Sequence, residues 1–310
     1  MLAWCTMDDM LPDSLQEKID ALIETIPLRI LERGSQKLSH LYRVGEGVQS
    51  EEQRLAYLLV RMPATYAVIQ RVLKEIAVQP KSILDIGAGP GTGWWAVQEP
   101  DALWTCLEKD PEFIRLGKQL CPSLNIQWIQ QDLLENQEFK AHDLVMASFF
   151  LGELPDRDLE KIVKKMWEAT QETLVLIEPG TPKAFERMRA LRLFLIGQGA
   201  HLMAPCPHEN KCPMQGGDWC HFSVRVSRSS FHRQMKGGTL NYEDEKFTYL
   251  IFSRKKENLS VKRILSHPEK KPGHIRLKLC TESGLEYPTI TRSSGDLYRA
   301  VKKKEWGDLL

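Results

Sequence analysis

"SILDIGAGPGTGWWAV", residues 82–97, decides the fold. A short apolar strand, Ile83 to Ile86, runs straight into a turn carrying Gly87, Gly89, Gly91 and Gly93. Glycine admits the dihedrals of a tight turn and lets the backbone approach a ligand closely. Such a turn is a weak signal by itself, and the spacing onward sharpens it. Glu108 ends the next apolar run, "ALWTCLEKD", 15 residues after Gly93, where a carboxylate can accept both hydroxyls of a ribose. Asp132, in "QQDLL", ends the third, where it can accept the exocyclic amine of an adenine.

The set Asp85, Gly87, Gly89, Gly91, Glu108 and Asp132 resembles the S-adenosylmethionine (SAM) site of class I methyltransferases. An NAD-type Rossmann site is the rival, since it also combines a glycine turn with an acid. The Asp85-Ile-Gly-Ala-Gly run and the closing Asp132 favour the methyl donor. No catalytic residue is identified. Amino-group methyltransferases of nucleic acids often carry an Asp/Asn-Pro-Pro-aromatic run after the fourth strand, and here that place reads "ASFFLGEL", residues 147–154. Methyl transfer by positioning alone needs no such group when the acceptor is already nucleophilic.

Further strands follow in "NIQWIQQDLL", "HDLVMASFF" and "ETLVLIEPG", with helical stretches such as 112–120 and 157–170 between them. Strands alternating with helices predict a parallel sheet covered on both faces. Last strands are expected around 223–228 and in "KFTYLIFSRK". Upstream, residues 14–80 read as helical, with Leu15, Ile19, Leu22 and Ile23 at helical spacing behind a Ser14 cap and Pro63 as a break. Beyond Lys256 the chain turns basic and strand-like: 255–310 holds thirteen Lys/Arg against seven Asp/Glu. The expected domains are a helical cap at 1–80, a class I methyltransferase-like α/β domain at 81–254 and a basic β-rich extension at 255–310.

The 310 residues carry a formal charge of +1, which excludes a global field for nucleic acid and leaves local asymmetry to be read. No apolar run is long enough for a membrane span. The N-terminus is acidic, with Asp8, Asp9 and Asp13, and fits neither a secretory signal nor a mitochondrial presequence. The expectation is a cytoplasmic monomer with reduced thiols, in which clustered cysteines favour a metal over disulfides.

Three of seven cysteines lie within "CPHENKCPMQGGDWC", residues 206–220, part of a cysteine loop spanning 200–222. Four thiolates suit an iron–sulfur cubane or a tetrahedral zinc, and Cys280 is the best fourth candidate beside Cys206, Cys212 and Cys220. His201, His208, His221 and His232 lie near, so zinc on three cysteines and one histidine stays open. Cys5, Cys106 and Cys121 read as structural. With a fourth ligand at Cys280, the metal would staple the extension to the loop.

"HLYR" at 40–43, "EPGTP" at 178–182, the cysteine loop, "DWCHFSVRVSRSSFHRQMKGG" at 218–238, "YEDEKFTYL" at 242–250 and "GDLYRAVKKKEWGD" at 295–308 together resemble the methyltransferase-like assembly factors of the mitochondrial small ribosomal subunit. The resemblance implies a class I fold, a [4Fe–4S] cluster on Cys206, Cys212, Cys220 and Cys280, and binding to small-subunit rRNA during assembly or translation. The lack of a presequence suggests a bacterial relative. Arg225, Arg228, Arg233, Lys236 and the run Lys302, Lys303, Lys304 could contact phosphates, or be a solvated basic face. Three functions remain: an rRNA methyltransferase, a non-enzymatic ribosome-binding factor, and a small-molecule methyltransferase with a structural zinc.

Overall fold

The computed structural model describes residues 10–44, 47–76, 79–135, 138–228, 231, 233, 240–256 and 261–310. Four helices come first: α1 (Asp13–Ile23), α2 (Leu28–Val44), α3 (Glu51–Val60) and α4 (Met62–Leu73). In α1 the helical spacing holds, with Leu15, Ile19 and Ile23 buried, but the Ser14 cap does not: the helix begins at Asp13, after Pro12, without a side-chain cap bond. α3 opens with a capping box between Ser50 and Gln53. Pro63 sits in the first turn of α4, where its missing N–H has no helical partner to lose, so it starts a helix rather than kinking one.

The core follows as β1 (Ser82–Ile86), α5 (Thr92–Val97), β2 (Leu103–Glu108), α6 (Pro111–Leu120), β3 (Ile126–Gln130), β4 (His142–Ser148), α7 (Asp156–Ala169), β5 (Thr170–Pro179), α8 (Pro182–Gly197), β6 (His201–Ala204), β7 (Phe222–Ser227) and β8 (Tyr242–Ser253). The sheet order is β3-β2-β1-β4-β5-β8-β6, with β7 also on β8. Strands β1 to β5 are parallel, whereas β8 runs antiparallel to β5, β6 and β7. The sheet is therefore mixed, with a class I methyltransferase order, rather than parallel throughout. Alternation along each strand divides the core in two. Ile83, Val175 and Ile177 pack with the N-terminal helices, while Leu84, Ile86, Leu174 and Leu176 pack with α7 and α8. Helices α1 to α4 thus cover one face of the sheet.

The extension is β9 (Arg263–Ile264), β10 (Glu269–Lys271), β11 (His274–Arg276), β12 (Leu279–Thr281), β13 (Gly284–Glu286), β14 (Thr289–Thr291) and α9 (Asp296–Lys302). It forms two three-stranded sheets, β10-β11-β14 and β13-β12-β9, around Ile264, Ile275, Leu277, Leu279 and Val301. Where a metal staple is expected, protein contacts attach it. Arg263, 2% exposed, donates to both Glu75 oxygens at 2.8 and 2.9 Å and to the Pro205 carbonyl at 2.9 Å. Phe185, Met214, Leu265 and Cys280 add an apolar seam between α8, the cysteine loop and the extension.

Candidate functional site

A cavity of about 700 Å³ opens at the carboxyl ends of β1, β2, β4 and β5, within the size range of small-molecule sites. The glycine turn forms its floor. Gly87 and Gly89 adopt φ of 69° and 54°, a region that side chains other than glycine rarely enter. At Gly87 a Cβ would strike the Phe150 ring, whereas at Gly89 it would meet only the Tyr57 hydroxyl, at 3.9 Å. Gly89 is thus the point at which backbone lies open to a ligand. Gly91 and Gly93 are closed by Cys121 and by Asp85.

Glu108 is fixed in place. Its two oxygens accept the backbone N–H groups of Gly89 and Asp110, each at 2.9 Å. Burial pushes its carboxyl above the usual range despite those bonds. Burial, helped by the Glu108 charge, pushes the buried Asp85 to about 7. Asp85 does not line the cavity. It lies against α5, beneath the turn, and supports the loop rather than facing a ligand. Asp132 is exposed at the rim, one oxygen accepting from Leu134 N at 3.0 Å. Beside it Gln131 is buried, and its amide nitrogen has no hydrogen-bond partner. A donor left orphaned in a cavity fits a ligand carrying ring nitrogens.

The far end of the cavity was not legible in the sequence. Tyr57 and Arg61 reach it from α3 and the α3–α4 break, Glu153 from the turn after β4, Arg187 from α8 and Glu245 from β8. Arg61 pairs with both Glu245 oxygens at 3.0 and 3.2 Å and stands 5.7 Å from the Phe149 ring centre. Phe149 holds φ of 57°, a strained value for an aromatic residue, where nucleic-acid amino-methyltransferases place their polar-proline run. Glu178, at the end of β5 and 3% exposed, accepts from Leu151 N at 2.8 Å, and burial pushes it up to about 8. The "EPGTP" stretch signalled its place but not its role.

A second pocket lies across α8. Cys206, Cys212, Cys220 and Cys280 all line it, with Phe185, Met188, Met214 and Arg192. All four are free thiols, and burial pushes Cys280 up to about 12. Among the described residues, no group of three or more His, Cys, Asp or Glu side chains is set to hold a metal ion. His208 Nε2 lies 3.6 Å from Cys280 Sγ; His221 stacks on Trp219 instead, and His201 faces Glu209. Cys106 and Cys121 are buried away from this pocket, while Cys5 and His232 lie outside the described residues.

The expected phosphate-binding strip is mostly engaged elsewhere. Arg225 pairs with Asp244 at 3.0 Å, Arg228 with Glu243 at 2.7 Å, and Arg233 donates to Asn241. Asp244 and Glu243, both on β8, offset the charges of Arg225 and Arg228. Lys302 and Lys303 are exposed and Lys304 is half-buried; Lys236 lies outside the described residues. No helix among the described residues is long and apolar enough to cross a membrane.

A family profile described as mitochondrial small ribosomal subunit Rsm22 matches residues 51–310. The chain is 28% identical to the human mitochondrial ribosome assembly protein METTL17, over 84% of this chain and 63% of that protein. It is 24% identical to the Rsm22-cox11 tandem protein 2 of Schizosaccharomyces pombe, also mitochondrial, over 98% of this chain and 49% of that protein. The chain thus spans about half to two thirds of the length of these two relatives. Among solved structures, the magnesium protoporphyrin IX methyltransferase of Synechocystis with bound SAM is 13% identical, with a TM-score of 0.43, over 79% of this chain and 98% of that one. The relatives overturn the expected cytoplasmic location: they are mitochondrial proteins, and point to the mitochondrion.

Proposed function

The chain belongs to the Rsm22 family of the mitochondrial small ribosomal subunit, and from that premise we propose that it is a SAM-binding, methyltransferase-fold factor of small-subunit assembly that engages the subunit's rRNA. The observation that carries this is the Gly89 floor beside a Glu108 locked by two backbone N–H groups, in a cavity with an orphaned Gln131 amide. In that cavity Glu108 would hold the ribose hydroxyls, Asp132 and Gln131 the adenine edge, and Gly89 would leave room for the ligand against the backbone. When bound, SAM supplies an electrophilic methyl group. The chain's own part would be to orient an acceptor at the Phe149 and Glu178 end and exclude water from it.

A non-enzymatic binder is the second reading, favoured by the apolar tip of β4: Phe149, Phe150 and Leu151 offer no polar group to take a proton from an amine. Purified small subunits incubated with the chain and methyl-labelled SAM separate the two. Label in rRNA supports the enzyme. Co-sedimentation without label, with SAM binding intact, supports the binder. Neither co-sedimentation nor label would remove the ribosomal role. The exposed Lys302 and Lys303 are the leading phosphate contacts, since Arg225 and Arg228 already have carboxylate partners.

The proposal includes a [4Fe–4S] cluster on Cys206, Cys212, Cys220 and Cys280. Four thiolates about 2.3 Å from one zinc would stand roughly 3.8 Å apart; among the described residues no group of three or more His, Cys, Asp or Glu is set to hold a metal ion. A cubane of four irons holds its thiolates further apart, as cysteines spread around a shared apolar pocket would. Arg192, buried in the wall with its Nε unpartnered, also fits an anionic occupant. The cysteines would hold the cluster and fix the loop against the extension.

A further inference from the structure

We propose that Arg192, on α8, is the counter-charge of the four-cysteine centre and a positioning residue for it, stabilising its anionic form and raising its reduction potential. This rests on the cluster assignment above. Arg192 is 3% exposed and lines the same pocket as all four cysteines. Its Nη2 donates to the His208 carbonyl at 2.6 Å, which ties α8 to the cysteine loop. Its Nε is buried without a partner, and among the described residues no carboxylate forms an ion pair with it.

Arg263 supplies the contrast within the same molecule. It is buried as deeply and also acts on the thiols, but Glu75 neutralises it through two hydrogen bonds. Arg189, the other arginine at the pocket, pairs with Glu186 and is partly exposed. Arg192 alone among the three faces the thiols with an unbalanced charge. A buried guanidinium lacking an anion is strongly unfavourable, so its placement calls for negative charge in the pocket. Neutral thiols do not provide that. Its charge acts on Cys206 and Cys280.

The charge count gives the direction. A cubane core of charge two plus, held by four thiolates, carries two minus overall, and gain of one electron makes it three minus. A fixed positive charge in the wall favours the more negative state. Removing that charge therefore lowers the potential, whereas a merely structural anchor for His208 would leave it unmoved.

The test uses the full chain, purified and reconstituted anaerobically, as wild type, Arg192→Gln and Arg192→Lys. Glutamine keeps a donor towards the His208 carbonyl without the charge; lysine keeps the charge. Dithionite titration in the presence of mediators, followed by loss of visible absorption and by the paramagnetic signal of the reduced cluster, reads the potential. Arg192→Gln is expected to lower the ratio of reduced to oxidised cluster at fixed potential at least tenfold, about 59 mV for one electron, and Arg192→Lys to restore most of it. Cluster assembly in Arg192→Lys but not in Arg192→Gln would equally support the counter-charge. An unmoved potential in both variants, or loss of the cluster in both, would overturn it. Colourless, iron-free wild type would instead overturn the cluster assignment itself.

Discussion

At the scale of single residues, burial sets the chemistry of the cavity. Glu178 is the clearest case. Its folded value of about 8 lies well above the ordinary 4.5, because burial disfavours the charged form. The folded state therefore keeps a proton that the unfolded chain releases. The stabilising contribution is complete below about pH 4.5 and is lost as pH rises towards 8. Glu178→Gln keeps an oxygen for Leu151 N and removes the titration. Urea midpoints measured from pH 5 to 8.5 should fall less steeply in the variant than in wild type. An identical slope would show that Glu178 does not carry the shift. Glu108→Ala should weaken SAM binding by about 1–3 kcal/mol, as loss of charge-assisted hydrogen bonds does, read by calorimetry. Residues that act through spacing along the chain, such as Gly89 and Glu108, were legible in the sequence. Tyr57, Gln131, Glu178 and Arg192 were not, because what marks them is burial and an unmet or strained partner, which only the folded chain shows.

At the scale of elements, helical and strand periodicity located β1, β2, β4, α6 and α7 within a residue or two, whereas β3 ends at Gln130, short of Asp132, and α5 follows the glycine turn without a periodic signal of its own. The misses have physical causes. β6 is four residues long, too short for a periodic signal, and is fixed by pairing with β8. β8 reads like any apolar strand, and its antiparallel direction shows only in its pairing with β5, β6 and β7, not in its composition. The extension's strands are two or three residues each, below what alternation can reveal. Its mode of attachment rests on a pair 188 positions apart, Glu75 to Arg263. Glu75→Gln leaves Arg263 buried beside a neutral partner and should cost about 3–5 kcal/mol, the range for breaking a buried ion pair, measured by urea unfolding. A loss under about 1 kcal/mol, the range of an exposed pair, would show that the extension is held otherwise.

At the scale of the whole molecule, two sites share one helix. α8 presents Ala184 and Arg187 to the glycine-turn cavity and Phe185, Met188 and Arg192 to the thiol pocket. The cysteine spacing suggested three ligands and a distant fourth, and the fold brings all four around one pocket, which spacing alone could not establish. Cys280→Ser should lose iron and colour. The Glu75–Arg263 pair and the apolar seam should nonetheless keep the extension docked, and limited proteolysis should not yield a fragment cut between roughly 255 and 275. Release of that fragment would show that the metal is the main tether. The cavity itself is assembled from distant parts of the chain: Tyr57 and Arg61 from the N-terminal helices, Gly89 and Glu108 from the core, Glu245 from β8. The most direct test is calorimetric titration of SAM into the wild-type chain and into Gly89→Val. The added Cβ would meet no protein atom but the Tyr57 hydroxyl, and the positive φ adds backbone strain of about 1–2 kcal/mol. The account requires saturable one-to-one binding by wild type, and none by a Gly89→Val chain whose circular dichroism shows it folded. Equal affinity in the two, or no binding by wild type, would contradict it.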